Sequence, residues 1–209
     1  LLASHPTPPV FDGPEDRNGR RNHDEIRFWV DYVDAARSRW IVDDRGVRGG
    51  LEAGAAFVIL GDLNADPLDG DSHASAVRAL LGHPRIDARV VPASAGAGAA
   101  ASREGGANAA QRGDPRSDTA DFADHGPRAG GNLRVDYVLP SLGLATCHAG
   151  VYWPTPEDPE FALVGDDTAA SSDHRLVWID VAPGGRCADG GGDAAAAAQR
   201  SRRSTPTGQ

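Results

Sequence analysis

Short apolar runs alternate along the chain with long polar or small-residue stretches, and the apolar runs predict its elements. Leu1-Leu2-Ala3-Ser4 reads as the end of a strand that delivers His5 to a Pro-rich, turn-rich stretch over 6–21. Ile26, Trp29, Val30 and Val33 recur at helical spacing behind Asn22-His23-Asp24-Glu25, which has the form of a capping box. A helix is therefore predicted over about 23–39. Phe57-Val58-Ile59-Leu60 is a continuous apolar run of the kind found in strands covered on both faces, and it stops at Gly61-Asp62-Leu63-Asn64-Ala65-Asp66-Pro67. A second helix is predicted over 73–81, with Val77, Leu80 and Leu81 inward and Gly82 as its stop. Strands follow at about 89–91, 133–139, 145–152 and 175–181. Trp29 and Trp178 are expected in the core.

Composition refines this picture. Leu, Ile, Val and Phe make up just under a fifth of the 209 residues, and the formal charge is −9. Averaged over the chain, those values are typical of disorder. The deficit is local, however: residues 93–131 hold one such residue, Phe122, and residues 184–209 hold none. One core-forming domain over 1–182 is expected, with 93–131 as a low-complexity insertion, either disordered or a functional loop, and 183–209 as a disordered tail. No apolar run approaches the roughly 20 residues of a membrane span, and no signal-peptide pattern opens the chain. Lys is absent, so all 21 basic residues are Arg against 30 acidic ones. A broad basic field for nucleic acid is excluded; phosphate contacts must be few and local, or bridged by metal. Cys147 and Cys187 match no zinc spacing and are either one disulfide or two free thiols.

Polar groups stand at the ends of three apolar strands: Asp62 and Asn64 after Phe57–Gly61, Asp136 inside Arg134–Leu139, and Ser172-Asp173-His174 before Arg175–Ile179. A carboxylate among β-forming apolar residues is costly unless it is paired or binds a cation. With His5 at a further strand end, these sites predict one shared pocket holding a hard metal ion. Oxygen donors and the lack of ligand cysteines favour Mg2+, Mn2+ or Ca2+ over zinc. Asp62, Asn64 and Asp66 partly mimic a calcium loop, but Pro67 and His73 occupy the positions of its Gly and Glu, so that motif is rejected.

GDLNADP, RVDYVLPS and SSDHRLVW, in that order, resemble the C-terminal motifs of the endonuclease/exonuclease/phosphatase superfamily, most closely its bacterial members of undefined substrate. The resemblance covers about residues 1–182. It implies an α/β fold, a four-layer α/β/β/α sandwich, and a divalent-metal-dependent phosphoesterase, nuclease or phosphatase, acting through an activated water. It implies that Asp62 orients or deprotonates that water and that Asn64 hydrogen-bonds the scissile phosphate. Asp136 would orient His174, and His174 would serve as general base or charged phosphate contact. His5 would contact phosphate or act as general acid. Asp62, Asn64 and Asp173 would bind the metal. From the sequence itself, Arg134, two residues before Asp136, and Arg17, Arg20 and Arg21 after His5 are expected to add local positive charge for substrate phosphate. The Asp118–Phe122 stretch is either a pocket rim or a structural turn.

The same resemblance places a metal-binding Glu and an active-site Asn on strands before the position of His5. The chain is therefore expected to be the C-terminal portion of such a domain with its N-terminal part missing, active only in the full-length protein. The competing reading is a non-catalytic half-domain acting as an interaction module. Bacterial relatives of this kind leave export open, and no protein partner is evident.

Overall fold

The computed structural model describes residues 1–127, 129–165, 171–184 and 186–187. The expected disordered tail lies almost wholly outside them. The chain runs β1 (Leu2–Ala3), α1 (Arg17–Tyr32), β2 (Val58–Asp62), α2 (Ser75–Leu81), α3 (Ala95–Glu104), β3 (Ala120–Asp121), β4 (Asn132–Leu133), β5 (Asp136–Pro140), β6 (Ala145–Tyr152) and β7 (Leu176–Ala182). It is an α/β fold.

The central sheet has the order β1-β2-β5, with β1 parallel and β5 antiparallel to β2. Ile59, Tyr137 and Leu139 of this sheet pack with Ile26, Val30 and Val33 around α1 and with Val77 and Leu80 of α2. Burying these side chains is the main source of stability, at about 1.5–3 kcal/mol for each large one. The β2/β5 register sets Asp62 opposite Asp136 at one end of the sheet. Gly61 has φ 136°, and a Cβ there would stand 2.0 Å from the Ser4 carbonyl oxygen. A glycine is required for the end of β1, and so His5, to approach β2 this closely.

Several expectations are corrected. The first helix begins at Arg17 and ends at Tyr32, not 23–39. Asn22 is fully buried within it and does not cap it. Its amide nitrogen donates to the Thr7 carbonyl (3.0 Å) and the Leu63 carbonyl (2.9 Å), joining the helix to two loops. Asp34 accepts from the backbone of Ala36 and Arg37 in the turn beyond the helix.

Residues 93–131 are not a structureless insertion. Ser94 caps α3 by accepting from the Ala97 amide at 3.0 Å, and Ala97 and Ala100 pack on Val151 and Trp153. A Cβ on Gly96 would meet the Trp153 carbonyl at 2.0 Å, so this helix packs by close approach of small residues. Residues 89–91 form no strand; Arg89 turns back onto Asp87 at 2.6 Å. The strand expected at 133–139 is split into β4 and β5. Trp178 is 39% exposed on β7 and lies outside the core. Cys147 and Cys187 form a disulfide.

Candidate active site

β1 and β2 end and β5 begins at one side of the sheet, and each delivers a side chain to the same place. The Ser4 amide donates to the Leu60 carbonyl, which carries β1 along β2 and sets His5 Nε2 3.4 Å from Asp62 Oδ2. Asp62 folds its own loop: Oδ1 accepts the Asn64 amide at 2.7 Å, and Oδ2 accepts Asn64 Nδ2 at 3.0 Å. Asn64 has φ 50°, a conformation asparagine tolerates better than most residues. Its second amide hydrogen goes to the Pro6 carbonyl at 3.1 Å. Both Nδ2 donors are thus engaged, and contact with phosphate requires one to be released.

β7 is preceded by Asp173 and His174. His174 Nδ1 lies 2.9 Å from Asp136 Oδ2, and its Nε2 lies 3.9 Å from Asp62 Oδ2. An ionised carboxylate can only accept, so in this hydrogen bond Nδ1 carries the proton and Nε2 faces Asp62. This hydrogen bond raises the His174 pKa against the opposing effect of burial. Burial raises the pKa of Asp62, and the facing charge of Asp136 adds to it.

Thr119, fully buried, is a positioning residue whose weight the sequence left undecided. Its hydroxyl donates to Asp136 Oδ2 at 2.8 Å and accepts the Val135 and Asp136 amides at 3.0 and 2.9 Å. The Phe122 ring stands edge-on to His174, with centroids 5.7 Å apart. The Asp118–Phe122 stretch therefore both supports Asp136 and reaches the pocket.

Asp62, Asp136 and His174 each place a ligand atom within 4.8 Å of the others'. Among the described residues they are the one such group of three His, Cys, Asp or Glu side chains. Two carboxylates facing each other at a partly buried point suit a hard divalent cation, which would relieve the repulsion between Asp62 and Asp136. Asp173 lines the same cleft without joining that group. Arg134 is not brought to the cleft; its guanidinium lies 4.7 Å over the Tyr137 ring. Arg20 lines a neighbouring depression that shares only His5 with the cleft.

The model described as the Endonuclease/Exonuclease/phosphatase family matches residues 3–174. The chain belongs to this family. Neither a curated protein nor a solved structure matches it. Membership in the endonuclease/exonuclease/phosphatase family makes it a hydrolase of ester bonds whose substrate is a phosphoester. Among the described residues no helix is long and apolar enough to cross a membrane.

Asp118, next to Thr119 in the chain, is 5% exposed, and its Oδ2 has no hydrogen-bond partner. Burial, reinforced by the charges of Asp66, Asp69 and Asp114, pushes its pKa up to about 8. The folded state thus holds a proton that the unfolded state releases near pH 4, so this group lowers stability as pH rises from about 4 to 8. Asp118→Asn is expected to remove that loss. Its stability advantage over the wild type should grow by up to about 1.4 kcal/mol per pH unit across the window. Urea melts at pH 5 and pH 8 check this, and an advantage independent of pH would contradict it.

Proposed function

We propose that the cluster of Asp62, Asp136 and His174, with His5 and Asn64 beside it, hydrolyses a phosphoester by attack of water. The observation that carries this reading is the His174–Asp136 hydrogen bond set directly across from Asp62. Asp62 and Asp136, with Asn64 and Asp173 at the same cleft, would hold a divalent ion, Mg2+ or Mn2+ or alternatively Ca2+. When bound, that ion neutralises charge on the non-bridging phosphate oxygens. Asp62 orients the attacking water and takes its proton. Asp136 holds His174 in one orientation and favours its imidazolium form. Nε2–H of His174 then donates to a phosphate oxygen as negative charge develops on it. His5, exposed at the end of β1, contacts phosphate from the other side of Asp62 or protonates the leaving oxygen. Asn64 fixes the Asp62 carboxylate and, on exchanging its Pro6 contact, reaches the phosphate.

The four-layer sandwich belongs to this proposal, as does the expectation that activity is seen in the whole natural polypeptide. The test is hydrolysis of bis(p-nitrophenyl) phosphate by that polypeptide. Activity is expected to depend on added Mg2+ or Mn2+ and to disappear with EDTA. Hydrolysis undiminished by EDTA would overturn the metal-dependent reading.

A further inference from the structure

The cleft that contains Asp62, Asp136 and His174 has a volume of about 1030 Å³, far more than a phosphate and a metal ion occupy. Its walls beyond the cluster fall into two kinds. One is apolar: Pro8, Pro9, Val10, Phe11, Phe122 and Leu133 line it. The other is polar: the exposed Asp71 lines the same cleft, together with Asp66 and Asp69, whose carboxylates accept backbone amides of Arg134 and Gly113. Among the described residues, no Arg lines it.

Phe11 is the informative residue. Its φ is 66°, a backbone region bulky side chains seldom adopt, and its side chain is 80% exposed. Both flanks hold it there. Asn18 Nδ2 donates to the Val10 carbonyl at 2.7 Å, and the Asn18 amide donates to Asp12 Oδ2. Neither burial nor helix or strand formation explains a phenylalanine held in this backbone conformation while it lines a cleft. Phe122, which lines the same cleft, meets the edge of His174 and brings apolar surface up to the reacting groups.

We propose that the apolar wall from Phe11 to Phe122 binds an alkyl or aryl group carried by the phosphoester. The substrate is then a phosphodiester with an apolar substituent, and not a nucleic acid strand. This rests on the phosphoesterase reading above and names its substrate class. A single phosphate is accommodated at the cluster while its apolar group covers Phe11 and Val10. A polyanionic strand continuing along the cleft would instead meet the exposed Asp71 and find no Arg among the described lining residues, in a chain of formal charge −9.

The experiment compares three p-nitrophenyl phosphodiesters with the same leaving group and metal: the methyl, hexyl and thymidine-5′ esters. Each methylene taken out of water is worth a factor of about four, so partial burial of the hexyl chain is expected to raise kcat/KM at least tenfold over the methyl ester. Phe11→Ser is expected to lower that hexyl-to-methyl ratio severalfold, and Phe11→Leu to retain most of it. Phosphatidylcholine vesicles distinguish the natural source. Competition with the hexyl ester supports a bilayer substrate; a retained hexyl preference without competition supports a soluble one. A hexyl-to-methyl ratio within twofold of one, or faster turnover of the thymidine ester than of the hexyl ester, would overturn the inference while the phosphoesterase reading stands. No hydrolysis of any of the three esters would overturn both.

Discussion

His174→Ala is expected to lower kcat/KM for phosphodiester hydrolysis by roughly 10²–10⁴-fold, the range for removing a positioned proton-transfer or charge-stabilising group. The imidazole touches both halves of the site, with Nδ1 on Asp136 and Nε2 facing Asp62, so no neighbouring side chain takes its place. Asp136→Asn separates positioning from mere presence. The hydrogen bond from His174 to Asp136 is the first cause of the raised His174 pKa, so its weakening lowers that pKa. Since His174 acts as imidazolium, activity falls as pH rises through its pKa. In Asp136→Asn that alkaline fall should begin at lower pH than in the wild type. A pH–rate profile of the variant that is scaled down without moving would show that Asp136 does not act through His174.

The second large effect is on stability and concerns Asn22. This side chain is fully buried, and its amide joins α1 to the carbonyls of Thr7 and Leu63. Asn22→Ala removes both hydrogen bonds and leaves buried acceptors unpaired, at roughly 2–4 kcal/mol in total. For a chain of this size the melting temperature should fall by about 5–15 °C. The Leu63 carbonyl follows Asp62 directly, so the residual folded fraction should also show weakened hydrolysis. Thermal unfolding followed by circular dichroism measures the first effect; a shift under 2 °C would contradict this account of Asn22.

Asn22 also shows where the sequence misleads. Asn followed three residues later by Glu reads as a capping box, because a cap and a buried amide clamp use the same side chain. Nothing local reveals that its acceptors lie 15 and 41 residues away. In α3 the signal failed differently. An Ala/Gly helix that packs by closeness to Trp153 and Val151 carries no apolar periodicity, so 93–131 resembled an insertion.

The core of the site was legible for a physical reason. Asp62, Asp136 and His174 interrupt or border apolar strands, and such a placement is costly without a partner; the β2/β5 register then brings Asp62 and Asp136 together. Residues flanking the strands were less legible. Whether Arg134 turns to the pocket or to the Tyr137 ring depends on a side-chain direction that spacing does not encode. Arg20 moved away from the cleft once the helix began at Arg17. Thr119 and Phe11 take their roles from tertiary contacts and backbone conformation, and neither leaves a pattern along the chain.

The central claim is that this carboxylate–imidazole cluster hydrolyses phosphoesters with a divalent ion. Its most direct test is the rate of bis(p-nitrophenyl) phosphate hydrolysis with Mn2+ by the wild-type polypeptide and by Asp62→Ala, both verified as folded. Metal-dependent turnover is expected in the wild type, with a loss of at least about 10³-fold in Asp62→Ala. Equal rates in the two proteins would contradict it.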